Sequence, residues 1–177
     1  GAGGGGDIER IAAIRSAAPN SRLLVDANEA WAPDLLEANL AALEDIRGTG
    51  ARVVAIPDFG AGLETLEPTL AALERAGIPY LIDPIIEPIG FGFMASLERY
   101  AEVHRRYPGV PQLMGVGNIT ELTSADSTGV HALLLAICQE VGVTAVLTTE
   151  VIPWARGAVR ELDIARRLMH YAVSQKT

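Results

Sequence analysis

Five short apolar runs recur along this chain: Leu23–Ala27, Val53–Ile56, Tyr80–Asp83, Gln112–Val116 and Ala145–Thr148. They show little apolar–polar alternation, so each reads as a strand covered on both faces. Helical patterning fills the intervals between them. Asp7 opens a helix with an apolar face of Ile8, Ile11, Ala12, Ile14 and the stem of Arg15, and Pro19-Asn20 stops it. Pro33 opens the next, from Leu35 to about Ile46, which ends at Gly48-Thr-Gly50. Further helices are expected over Leu63–Arg75, Met94–Tyr107, Ser124 to about Val141, and Val159–Val173, with loops from Pro84 to Gly92 and from Gly117 to Thr123. Strands that alternate with helices in this way predict an α/β fold: five βα units on a parallel sheet with right-handed crossovers.

Chemistry in such folds gathers at the C-terminal strand ends. Here those ends read Asp26-Ala-Asn28-Glu29, Pro57-Asp58, Asp83-Pro84, Gly115-Val-Gly-Asn118 and Thr148-Thr149-Glu150. Asp26, Asp58 and Asp83 close successive strands at spacings of 32 and 25 residues. Three converging carboxylates would suit Mg²⁺, with waters completing its octahedron.

Composition closes off other classes. A formal net charge of −8 argues against a nucleic-acid partner, which needs basic surface. Of the 14 Lys and Arg residues only Lys176 is a lysine, one residue from the C-terminus, so no lysine is expected in a site. No apolar run reaches the roughly 18 residues of a membrane span. Gly1–Gly6 reads as a flexible lead and lacks the Lys-Ser/Thr of a phosphate loop. Cys138, the single cysteine, lies in an apolar helical run and is expected to be a buried thiol in a reducing, cytoplasmic setting. His104 reads as a solvated helix residue, and His131 and His170 as structural. Trp31 and Trp154 follow strand ends as rim packing or a stacking wall. Glu161-Leu-Asp163 with Arg166-Arg167 reads as a surface ion-pair set, with i,i+3 and i,i+4 pairs from Asp163.

Three segments carry a family resemblance: Gly77–Phe93, with its Tyr-Leu-Ile-Asp-Pro strand end, Leu113–Thr123, and Leu147–Arg156. In combination they resemble the dihydropteroate-synthase-related proteins of tetrahydromethanopterin biosynthesis, from about Val53 to the C-terminus. That resemblance implies part of a TIM (βα)8 barrel that binds a pterin. It assigns Asp83 to the ring's 2-amino and N–H edge, since a carboxylate offers two acceptors. True synthases carry Gly-Met-Ser-Arg-Lys after the next strand. The stretch here, Gly115-Val-Gly-Asn118, is closer to the Gly-Leu-Ser-Asn of pterin methyltransferases, which makes Asn118 a ring contact. Thr148, Thr149 and Arg156 take the place of the phosphate-binding pair. Ile56, Leu81 and Met114 would floor the site, and Phe91 and Phe93 would cover it.

The first 45 or so residues resemble a different family. Gly5–Pro19 followed by Arg22-Leu-Leu-Val-Asp-Ala-Asn-Glu-Ala-Trp31 is similar to the dipeptide-epimerase branch of the enolase superfamily. There Asp26 would be a Mg²⁺ ligand, but the lysine bases that abstract the α-proton have no counterpart. The chain therefore reads as a flexible lead (1–6), an enolase-like unit (7–48) and a pterin-binding-like half-barrel (49–177), a chimera of barrel fragments, engineered or recombined, in one compact domain. Two arrangements are open. A half-barrel in strand order 1-2-3-4-5 would expose Val25, Ile56, Ile82 and Met114 and close by homo-oligomerisation. A flavodoxin-like doubly wound sheet, order 2-1-3-4-5, would cover both faces itself. The expected function is a folded fragment with no or residual activity that keeps part of a pterin site. One alternative is a dihydropteroate-synthase-like transferase that condenses a pterin methyl pyrophosphate with an arylamine. A Mg²⁺-binding enolase-like remnant is the other.

Overall fold

The computed structural model describes residues 7–20, 52–58, 60–124 and 127–176. Helix α1 spans Asp7–Ala17 and ends where expected, with the Arg15 guanidinium donating to the Pro19 carbonyl at 3.1 Å. The expected strand Leu23–Ala27 and the helix after it lie outside the described residues. Strand β1 is Val53–Ala55, followed by a 3₁₀ turn at Leu63–Thr65 that runs into α2, Leu66–Ala76. Then come β2 (Tyr80–Ile82), α3 (Phe93–Arg106), β3 (Gln112–Gly115), a short α4 (Gly117–Thr120) and α5 (Ser127–Glu140). Strand β4 (Val143–Leu147), a 3₁₀ turn at Pro153–Ala155 and α6 (Ala158–Gln175) complete the order.

The four strands form one parallel sheet in the order β1-β2-β3-β4. A flavodoxin-like 2-1-3-4-5 order would separate the strand at Val53 from that at Tyr80. Instead Val53 N–H donates to the Pro79 carbonyl and Asp83 N–H to the Ala55 carbonyl, so the two are neighbours and the doubly wound alternative is corrected. Between β3 and β4 the register runs Gln112 to Val143, then Leu113 to Ala145, Met114 to Val146 and Gly115 to Leu147, with Thr144 the extra residue of a bulge.

The chain divides into two compact units: Gly1–Val53 with Glu67–Tyr80, and Val54–Leu66 with Leu81–Thr177. In the first, Leu73 is buried and its carbonyl accepts Ile78 N–H, while the Tyr80 hydroxyl donates to Glu74. The second holds a core of Ile86, Tyr100, Met114, Val116, Ile119, Leu134, Leu135, Cys138, Leu162 and Ala165. Here two expectations fail. Met114 is fully buried, its Sδ 3.6 Å from the Cys138 Sγ, because it points into the helical layer. Ile82, beside Gln112 in register and so on the same face, is fully buried too. The opposite face carries Leu113, half-buried, and Leu147, 47% exposed. Ile56 is 38% exposed, as expected. Val25 lies outside the described residues.

The stretch after β3, read as a loop, opens with one helical turn. Val116 and Ile119, three residues apart, are both fully buried, and their spacing winds the chain so that both face the core. Among the described residues, no helix is long and apolar enough to cross a membrane.

Candidate functional site

Asp83 leaves the end of β2 and is half-buried there. Its Oδ1 accepts two hydrogen bonds, from Ile85 N–H at 2.8 Å and from the Tyr100 hydroxyl at 2.7 Å. Its Oδ2 stands beside β3, 3.8 Å from where a Cβ on Gly115 would be. Burial pushes the Asp83 carboxyl above its ordinary range, against the lowering pull of Tyr100, of Ile85 N–H and of the nearby Arg99 guanidinium. Tyr100 is fully buried on α3, and its hydroxyl also reaches the Leu113 carbonyl at 3.2 Å. Burial, with the Asp83 charge next, raises its phenol far above the usual value, so it acts as a donor.

The chain after Asp83 is held from two sides, by Arg99 and by Asn118. Ile85 has φ of +61°, a left-handed conformation that a β-branched residue adopts only at a cost of about 1–3 kcal/mol. Arg99, one residue before Tyr100 on α3, offsets that cost. Its Nε donates to the Pro84 carbonyl at 3.0 Å and its guanidinium to the Ile85 carbonyl at 2.6 Å and to Glu87 at 3.3 Å. From the other side Asn118, in α4, donates its amide to the Ile86 carbonyl at 3.0 Å. A fork with fixed donors suits Arg99 to clamping two successive carbonyls. The loop then turns at Pro88–Phe91 with Gly90 at φ +85°, and Gly92 at φ +99° opens α3. Phe91, at the turn, is 80% exposed. Phe93 packs against the core instead, because it already lies in the first turn of α3.

Asp83 and Asn118 are thus tied to adjacent residues of one loop, Ile85 and Ile86. Gly115 replaces Met114 as the residue facing Asp83, and Leu81 is buried. Thr148 keeps a buried hydroxyl without a hydrogen-bond partner at the end of β4. Beside it Thr149 donates to Glu121, and both border Gly117. Arg156 is exposed. Anion binding at the start of α6 meets an obstacle, since the Glu150 carboxylate already accepts Val159 N–H at 3.0 Å there. Trp154 donates its indole N–H to the Thr120 carbonyl, a rim contact.

Of the proposed metal ligands, Asp26 lies outside the described residues. Asp58 is exposed, and its backbone is tied to the Thr65 hydroxyl. Among the described residues no group of three or more His, Cys, Asp or Glu is placed to hold a metal ion. The donor set for Mg²⁺ is therefore not assembled from Asp58 and Asp83.

Sequence reasoning missed Tyr100 and Arg99. A signal for Tyr100 was present: Leu97, Tyr100 and Val103 lie at three-residue spacing, and a tyrosine on an apolar helix face needs a partner for its hydroxyl. Nothing local marked Arg99, because its acceptors are backbone carbonyls 14 and 15 residues away.

No protein-family model matches the chain. Over 114 residues it is 40% identical to an uncharacterized protein of the archaeon Methanocaldococcus jannaschii, a similarity that covers 62% of this chain and 22% of that protein. The chain thus spans less than a quarter of the length of the curated relative it matches.

Proposed function

We propose that the strand ends around Asp83 and Asn118 recognise the amino-pyrimidinone edge of a pterin. In this reading the chain carries the pterin-binding part of a dihydropteroate-synthase-like barrel, retaining ring recognition with residual or no turnover. The observation that carries the proposal is the Asp83 carboxylate. It is half-buried, locked through one oxygen, and directs the other toward a glycine. A carboxylate held above its ordinary pKa by burial is costly to the fold, and such groups concentrate at binding sites. Condensation of a pterin methyl pyrophosphate with an arylamine also needs cations at the departing pyrophosphate. Arg156 is exposed and Glu150 occupies the start of α6, which favours binding over turnover. Residues before Val53, with their different resemblance, are read as a piece of a second barrel lineage joined to the first.

Titrating 7,8-dihydropterin against the wild type and Asp83→Asn tests this directly. The substitution keeps the shape but removes the charge and one acceptor. Affinity should fall about ten- to a hundredfold. No binding by the wild type at millimolar ligand, or equal binding by both proteins, would end the pterin reading.

A further inference from the structure

Oδ1 of Asp83 accepts from Ile85 N–H and from the Tyr100 hydroxyl at 2.8 and 2.7 Å. Two such bonds occupy the two lone-pair directions of a carboxylate oxygen. We propose that Tyr100 is a positioning residue of this site: its hydroxyl commits Oδ1 to the protein and leaves Oδ2, beside Gly115, as the acceptor offered to a ligand. This rests on the pterin reading above and refines it, because a carboxylate so held receives one N–H of an amino-pyrimidinone edge rather than two.

The geometry distinguishes this role from core packing. Tyr100 is fully buried, in one core cluster with Met114, Val116 and Cys138. A phenylalanine would fill the same space, whereas a buried hydroxyl costs free energy unless it is bonded. It carries a single hydrogen. The shorter, charge-assisted contact to Asp83 takes it, in preference to the Leu113 carbonyl at 3.2 Å. The raised phenol pKa keeps that hydrogen in place across the working pH range. Ile85 N–H alone would leave the carboxylate free to turn about its one remaining bond. With both donors the plane of the carboxylate is fixed, and Oδ2 with it. Gly115 completes the arrangement, since any side chain there would stand in van der Waals contact with Oδ2, in the space a ligand N–H must enter.

The test compares wild type and Tyr100→Phe, using 7,8-dihydropterin and the same ring lacking its 2-amino group. The wild type should favour the amino form. Tyr100→Phe should bind the amino form about five- to tenfold more weakly and leave the deaminated ring unchanged, so that discrimination shrinks. A merely structural role would weaken both ligands alike, and that result overturns the proposal. A second measurement needs no ligand: the side-chain carboxyl ¹³C signal of Asp83, assigned with Asp83→Asn, should shift in Tyr100→Phe. If the wild type binds no dihydropterin, the pterin reading fails by itself and the carboxyl signal decides this inference. A shifted signal then upholds Tyr100 as the group that fixes Asp83, and an unshifted one overturns it.

Discussion

His131 is fully buried on α5, and both its ring nitrogens lack a hydrogen-bond partner. Glu161, in the first turn of α6, stands 3.8 Å from its Nδ1 but accepts its hydrogen bond from Ser127. The serine bonds the carboxylate rather than the imidazole, so the three do not form a nucleophile–base pair. Burial lowers the His131 pKa below its ordinary value, more than Glu161 raises it. The neutral form is thus favoured by the fold. Its contribution to stability is fully present above the unfolded value of about 6.5 and is lost as pH falls through that value toward the folded one. Replacing His131 with Leu, of similar volume, should remove this loss and relieve two unpaired polar atoms. The variant should therefore melt higher than wild type, by a margin that widens between pH 7.5 and pH 5.5. A constant or shrinking margin in thermal melts would contradict this assignment. Glu161 was expected to pair on the surface, and only Asp163 does so, with Arg166 and Arg167. Cys138 behaves as its apolar surroundings imply, buried and with its thiol pushed up to about 12 by burial.

At the scale of elements, the loop from Pro84 to Glu87 depends on α3. Helix and loop are 12 to 15 residues apart in sequence, yet three Arg99 contacts join them. Arg99→Ala should destabilise the protein by roughly 2 kcal/mol, since bonds from a charged donor to half-buried carbonyls are lost. Backbone amides of residues 85–87 should then exchange faster than those of α3. Arg99→Lys should restore little, because an ammonium cannot span two carbonyls and a carboxylate in one plane. Full rescue by lysine, measured by hydrogen exchange and chemical denaturation, would show that charge alone holds the loop. Much of the element pattern was legible: β1 to β4 and the helices after them fall within a few residues of the apolar runs that announced them. The helical turn at Gly117–Thr120 was not, because only burial of Val116 and Ile119 distinguishes it from a glycine-rich loop.

At the scale of the whole molecule, the face of β3 and β4 opposite Met114 bears Leu147, exposed, with Leu113 and Ala145 half-buried. The homo-oligomer expected from strand patterning would remove this face from water, and apolar surface so removed contributes on the order of 25 cal/mol per Å². Sedimentation at micromolar concentration should give a dimer or larger, and Leu147→Arg should shift it toward monomer. A wild-type monomer at that concentration would remove the argument. The face is smaller than strand patterning alone suggests, since Ile82 and Met114 turned out to point into the helical layer.

What the sequence determined by itself was the alternation of strand and helix, and with it the position of Asp83 at one strand end and of Asn118 just past the next. Those features depend on local patterning: apolar runs of strand length, helical periodicity, and proline after Asp83. Strand order was undetermined, because parallel crossovers of similar length allow more than one arrangement. The face each strand residue presents was equally open, since a run without polar alternation carries no mark of inside and outside. The partners of the polar groups were settled only by tertiary packing. It brings Tyr100 against Asp83 across 17 residues, Asn118 against Ile86 across 32, and Ser127 against Glu161 across 34. Such contacts leave no periodic trace in the chain, because each joins one atom to one distant atom and nothing in the neighbouring residues need record it.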